Sequence, residues 1–397
     1  MPIQPSASPE GSFGSFGSFG SFGSFGSFGS FGSFGSFGSF GGAESPVVAA
    51  ALLSNRDGIV GAPLETHPPL PRNLPDDVAG LDRMAPVVRD SILLFDLASR
   101  VSFSLNAEGS HGPTVELWRW VEPGKASPRT ERAPLVKLSA PSIPQFEKQM
   151  QYLAAYADLR QDRTAEILSQ TTTLVPFFGS LLYMDPGRTP HTLEFLSVAL
   201  HFTNMAYMRV KFGLGCKRPV QFSPQVQPMI PTPTHPTLPS GHATEAFLLG
   251  RLLWKLLRDS HSPQSKVTHG SWGEMLMRQA ARIAVNRTVA GVHFPVDSVA
   301  GAVLGLTLAD FIHQLCRTDA CVPNHATFVG ENFDPGDDFD WHPLYEVEHD
   351  RQTPSAGKPS HPWATSEPGD SKFPTAPSPA LRWLWEKALD EWREPVR

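Results

Sequence analysis

Cysteine is scarce in this chain. Three occur in 397 residues, Cys216, Cys316 and Cys321, and none stands at a paired metal-ligand spacing. An odd, small count argues against a disulfide framework and suits a reducing compartment. Charge is also thin, at 18% of residues with a net charge of −6. No basic stripe is present, which excludes the usual nucleic-acid footprint. Long apolar runs are missing too. Residues 246–257 are broken by Arg251 and Lys255, and residues 299–309 are closed by Asp310. Both fall short of the ~20 apolar residues that span a bilayer. The start carries no basic segment leading into an apolar core, so no secretory signal is expected. These absences predict a soluble, cytoplasmic protein with no transmembrane segment and no nucleic-acid partner.

What the chain has in excess is proline, 39 residues, and glycine, 33. Part of the glycine lies in residues 11–40, ten copies of Gly-Ser-Phe. Such a run cannot bury a core, and a period of three suits neither a helix stripe nor a strand face. Residues 1–42 are expected to form a disordered tail, with self-association through its phenylalanines as the sharper alternative. Residues 43–110 are Pro-rich with one apolar patch, Ser91 to Leu97, and a short strand or hairpin arm lies near Val115–Val121, within a lobe that spans residues 43–143. An irregular N-terminal lobe is expected there.

From residue 144 the pattern turns helical. Apolar residues recur at helical spacing over residues 146–160, and Thr189-Pro190 opens another helix that Gly213 and Gly215 stop. Further helices are expected over residues 241–258, 273–289 and 296–315. The expected fold class is all-α, a helical bundle over residues 144–321. Residues 322–397 are expected to be a Pro-rich extension, with a linker over residues 353–379 and a terminal amphipathic helix over residues 380–391, bearing Trp383, Trp385 and Trp392, that docks back on the bundle.

Three segments carry polar groups whose types and spacing make sense together. The first runs from Lys211 to Arg218 and Pro219. The second is His235-Pro236-Thr237-Leu238-Pro239-Ser240-Gly241-His242, where Ser240 is a good N-cap for the helix that follows. Free N–H groups and the helix dipole make that first turn an anion site. The third holds Asn286, Arg287, His293 and Asp297. His293 and Asp297 are four residues apart, so on a helix start the carboxylate can orient the imidazole. Taken singly, a helix-end lysine is usually solvated and a lone histidine is usually a satisfied core residue. Together these residues describe a cradle for a tetrahedral oxyanion.

The segments resemble the signature of the type 2 phosphatidic acid phosphatase and vanadium-dependent haloperoxidase superfamily: Lys, six residues, Arg-Pro; Pro-Ser-Gly-His; Ser-Arg, five residues, His, three residues, Asp. All spacings fit, and Asn286 replaces the serine before Arg287. The resemblance implies a helical bundle of the acid phosphatase and haloperoxidase type. It implies that Lys211, Arg218, Ser240, Gly241 and Arg287 bind phosphate or vanadate. His293 would be the nucleophile that becomes a phosphohistidine, or the ligand of vanadate. His242 would be the acid–base residue, and Asp297 would orient His293.

Two branches remain. Gly291-Val292-His293-Phe294-Pro295-Val296-Asp297 resembles the phosphatase form of the third motif, and Met208 stands where haloperoxidases often place an aromatic residue or arginine. This favours a soluble phosphatase that hydrolyses a small phosphomonoester without a cofactor. On the other side, His235 resembles the histidine that tunes the pocket of bromide-oxidising haloperoxidases, which need vanadate, halide and hydrogen peroxide. Residues 146–160 and 221–235 also look like soluble haloperoxidase-like proteins. A third reading is a non-catalytic oxyanion-binding or assembly protein.

Overall fold

The computed structural model describes residues 46–59, 77–107, 112–121, 131–265, 271–320 and 322–393. The Gly-Ser-Phe repeats and Cys321 lie outside them. The helices are α1 (Pro46–Ile59), α2 (Pro86–Ser99), α3 (Ile143–Tyr156), α4 (Arg160–Ser169), α5 (Val175–Leu182), α6 (Pro190–Leu214), α7 (Pro219–Phe222), α8 (Gly241–Asp259), α9 (Trp272–Val289), α10 (Pro295–Leu315) and α11 (Pro379–Arg393). Sequence reading over residues 146–160 foresaw one helix where α3 and α4 follow each other through a short 3-10 turn.

The centre is the packing of α8 against α10. Nearly every residue of both helices is buried. Glycine at 301 and 305 lets them touch: a Cβ on Gly301 would lie 2.7 Å from the Ser240 carbonyl oxygen, and one on Gly305 would lie 2.2 Å from that of Thr244. Among the described residues, α10 is the one helix long and apolar enough to cross a membrane, and its apolar window is wholly buried inside the fold. The apolar run thus reaches past the 299–309 core seen in the sequence. The helix expected over residues 296–315 runs through Asp310, whose charge is held in a buried ion-pair network. Arg251 and Lys255 reach it from α8 at 3.3 and 3.1 Å, and Lys255 also meets Asp350 at 2.9 Å.

The expected all-α fold is wrong. A six-stranded mixed sheet flanks the helices, in the order β1-β2-β3-β4-β8-β7, and β5 and β6 form a separate pair. The strands are β1 (Val101–Asn106), β2 (Thr114–Val121), β3 (Glu131–Ser139), β4 (His325–Val329), β5 (Tyr345–Glu346), β6 (Arg351–Gln352), β7 (Ser355–Lys358) and β8 (His361–Glu367). The N-terminal segment is therefore not irregular, and the stretch expected to be a linker contains β7 and β8. The hairpin arm near Val115–Val121 is β2. The sheet escaped detection because its strands are short, β3 carries Pro134 and a bulge faces Trp118, so alternation is blurred. Its closing contact is also non-local: β3 pairs in parallel with β4, Val136 opposite Ala326.

The C-terminal helix docks back on the bundle. The Glu391 carboxylate accepts the N–H groups of His191 (2.7 Å) and Thr192 (2.9 Å), supplying the N-terminus of α6 with an acceptor from α11. The Trp392 indole N–H donates to Thr192 Oγ1.

Because Gly305 lies so close to a backbone oxygen, no side-chain adjustment can relieve a Cβ there. Gly305→Ala is expected to cost roughly 1–3 kcal/mol through forced separation of α8 and α10. A denaturant unfolding midpoint equal to wild type would refute this.

Candidate oxyanion site

Lys211 lies on the last turn of α6, and a left-handed glycine, Gly215 at φ 64°, ends that helix. The chain then turns so that Arg218 precedes α7 and faces back toward Lys211. Lys211 is fully buried. Its ammonium donates to the carbonyl oxygens of Pro236 (3.1 Å) and Thr237 (2.8 Å). Burial, then the Arg218 charge, pushes its pKa well below the ordinary lysine value.

Arg218 ties the first segment to the other two. Its Nε donates to the His235 carbonyl at 3.0 Å, and NH1 donates to the Val292 carbonyl at 2.8 Å and to His293 Nε2 at 3.0 Å. NH2 donates to His235 Nδ1 at 3.0 Å. Burial lowers the guanidinium pKa to about 10. The same effect, followed by the charges of Lys211 and Arg218, holds His235 down at about 4, so its ring is neutral at pH 7.

Ser240 caps α8, and its own N–H donates to the Asp297 carbonyl at 2.8 Å. Gly241 follows under the Tyr207 ring, 3.1 Å from where a Cβ would stand. The next residue, His242, donates from Nε2 to the Gln170 carbonyl at 2.9 Å, which leaves Nδ1 as the nitrogen able to take or give a proton. The Arg287 guanidinium stands beside this ring at 3.5 Å. Burial and then that cation push the His242 pKa well below the ordinary value.

Arg287 lies on α9, fully buried, and NH2 donates to Gln170 Oε1 (2.8 Å) and the Ile167 carbonyl (3.3 Å). Its Nε is a buried donor with no hydrogen-bond partner among the described residues, and so is Nε2 of Gln170. Burial brings the Arg287 pKa down to about 9.

His293 and Asp297 meet as their spacing predicts. Nδ1 of His293 lies 3.0 Å from Asp297 Oδ2, which also accepts the Phe294 N–H at 2.9 Å. A carboxylate only accepts, so the proton sits on Nδ1 and the Nε2 lone pair faces Arg218. Burial, then Arg218 and Lys211, hold this imidazole neutral. Burial raises the pKa of Asp297, opposed by hydrogen bonds from Thr237 and the Phe294 N–H, and the three donors that meet Oδ2 call for the carboxylate form.

The sequence-predicted residues thus converge through shared contacts. Two further residues come from outside the three motifs. Gln170, at the end of α4, contacts both His242 and Arg287, and Thr237 contacts Lys211, His293 and Asp297. Neither had a sequence signal beyond being a polar residue in a helix end or a Pro-rich loop. Asn286 also finds a purpose. Its amide donates to Glu166 Oε2 and Gln170 Oε1, each at 3.1 Å, and its oxygen accepts from Arg163 NH1 at 3.1 Å. The residue that departs from the motif therefore fastens α4 to α9.

The family model described as the PAP2 superfamily matches residues 193–319. That span begins within α6, passes α10 and contains all three motif segments. No curated protein matches the chain.

Asn286→Ser would restore the motif serine but remove three contacts to α4. The expected outcome is a loss of about 1–3 kcal/mol in urea unfolding, because Gln170 and Glu166 lose a buried partner. Unchanged or raised stability would show that the α4 contacts are idle.

Proposed function

We propose that this chain, whose residues 193–319 belong to the PAP2 superfamily, is a phosphomonoesterase that works through a phosphohistidine on His293. One observation carries the reading. Three buried cations, Lys211, Arg218 and Arg287, converge with only two buried carboxylates, Asp297 and, on the Lys211 side, Glu245, and their close partners are otherwise neutral carbonyls, amides and imidazoles. An uncompensated buried charge is costly, and a tetrahedral oxyanion is the group that balances such an excess. The Arg251–Lys255–Asp310–Asp350 network is the internal contrast. There two cations meet two carboxylates, and Asp310 is held below the ordinary carboxylate range.

The proposed reaction follows from the proton positions. Asp297 holds the His293 Nδ1 proton, so the Nε2 lone pair is the nucleophile. Arg218 NH1 leaves that lone pair when phosphate enters and donates to a phosphoryl oxygen instead. Lys211, Arg218 and Arg287, with Ser240 and the Gly241 N–H, stabilise the charge spread over the equatorial oxygens. Nε2 bonds to phosphorus as the ester P–O bond breaks, and the leaving oxygen takes a proton from His242 Nδ1. Burial and then Arg287 keep His242 neutral, and bound phosphate offsets the Arg287 part, so the substrate itself favours the imidazolium that must act as acid. Water then attacks the phosphohistidine, with His242 Nδ1 recovering a proton, and releases phosphate.

A specific contact favours a second reading, a vanadium-dependent haloperoxidase. His235 Nδ1 accepts from Arg218 at 3.0 Å, which places a neutral imidazole against a cradle cation. Vanadate fits the donor set: the unpartnered Nε of Arg287 and the cation excess suit it as they suit phosphate. Lys211, Arg218, Arg287, Ser240, Gly241 and His293 Nε2 would hold it, and when bound it would supply peroxide activation for halide oxidation.

One paired assay separates the readings. The phosphatase hydrolyses p-nitrophenyl phosphate, is inhibited by vanadate and loses the acid-labile phosphoenzyme in His293→Ala. His242→Ala slows turnover by roughly 10²–10⁴-fold. Bromination of a dye that requires vanadate, peroxide and bromide would select the haloperoxidase, and neither activity would reject both.

A further inference from the structure

We infer that Thr237 is a positioning residue that fixes the tautomer of His293 and keeps Asp297 in its ionised, proton-accepting form. Its kinetic consequence rests on the phosphotransfer reading above, whereas its effect on the resting imidazole does not.

Thr237 is fully buried and held at three points. Its N–H donates to the Cys216 carbonyl at 2.9 Å, and its carbonyl accepts the Lys211 ammonium at 2.8 Å. The side chain is thereby aimed by the backbone of the first motif segment at the third. Oγ1 lies 2.5 Å from Asp297 Oδ2 and 3.1 Å from His293 Nδ1. Since the carboxylate has no proton to give, the hydroxyl hydrogen points to Oδ2. An Oγ1 lone pair is then left for the Nδ1–H, which is shared between Oγ1 and Oδ2. Thr237 closes a triangle in which two edges need the proton on Nδ1, and the third, from its hydroxyl to Oδ2, turns an Oγ1 lone pair toward that proton.

The competing state shows what this prevents. If Asp297 took up a proton, the Nδ1 edge would weaken and the imidazole could carry its proton on Nε2. That N–H would oppose the Arg218 NH1 donor at 3.0 Å, and the nucleophilic lone pair would be lost. The groups facing this pair are the cations Lys211 and Arg218, the Cys216 thiol, and the imidazoles of His235 and His242. The two cations favour the carboxylate. Burial opposes it, and the Asp297 Oδ1 atom has no hydrogen-bond partner among the described residues. The hydrogen bonds to the carboxylate therefore all fall on Oδ2, and Thr237 supplies one of its three donors.

The sign of the pH effect follows. Asp297 must be ionised to act, so activity falls as pH drops through its pKa, and removing a donor to the carboxylate raises that pKa. Thr237→Val keeps the shape and deletes the hydroxyl. Its acid limb for p-nitrophenyl phosphate turnover is expected to move up by about one pH unit or more, the size expected for losing a hydrogen bond to a charged group. KM should change little at the alkaline plateau, and Thr237→Ser should restore the wild-type limb. In parallel, ¹⁵N-histidine NMR of the resting protein should show His293 protonated on Nδ1 in wild type and Thr237→Ser, with Nε2–H growing in Thr237→Val as pH falls. If Thr237→Val does not fold, Thr237→Ala carries the same comparison. A wild-type titration and tautomer in a folded hydroxyl-free variant would overturn the inference. Absence of turnover in wild type would reject the phosphotransfer reading alone, because the NMR arm still decides the role of Thr237.

Discussion

Everything in this fold that is chemically specific depends on keeping three positive side chains out of water with too little negative charge beside them. Lys211, Arg218 and Arg287 reach one centre from α6, the turn before α7, and α9. Their partners are mostly carbonyl oxygens, which orient a cation without neutralising it. The lowered basicity of all three, caused first by burial, is the electrostatic trace of that arrangement. A protein tolerates such a centre only if the surrounding structure is rigid enough to hold it, and the core formed by α8 and α10 supplies that rigidity.

The same core delivers the negative and proton-bearing groups. Ser240 and Asp297 open α8 and α10, and the bond from the Ser240 N–H to the Asp297 carbonyl locks the two helix starts together. Glycine at 301 sets that distance, since its missing side chain lets the Ser240 carbonyl approach. The site is thus an end of the helix packing rather than a pocket added to it. On the other flank, α4 contributes backbone and side-chain acceptors that place Arg287 and His242, with Asn286 as the tie.

The motif residues and most of the helices were legible in the sequence because both depend on short-range spacing. Lys211 and Arg218 bracket a helix end, and His293 and Asp297 stand one turn apart, so local geometry suffices to bring each pair together. The start of α6 at Pro190 and of α8 at Gly241 followed from proline and N-cap chemistry. The sheet was hidden because its pairing joins residues near 136 to residues near 326, and no local pattern reports a parallel partner that distant. Thr237 and Gln170 were hidden for a related reason. Each is an ordinary polar residue whose importance comes from what the tertiary fold sets opposite it.

The parallel pairing of β3 with β4 also dictates an order of events during synthesis. A ribosome delivers β1, β2 and β3 early, but β3 has an unpaired edge until residues 326–329 have emerged. The β4, β8 and β7 strands then extend the sheet from that edge. The start of α6 likewise waits for Glu391, 200 residues downstream of His191. Such long loops close slowly, and an open strand edge invites pairing with other chains in the interval. Every residue of the candidate oxyanion site has been synthesised once Asp297 is made, ahead of β4, β8, β7 and α11.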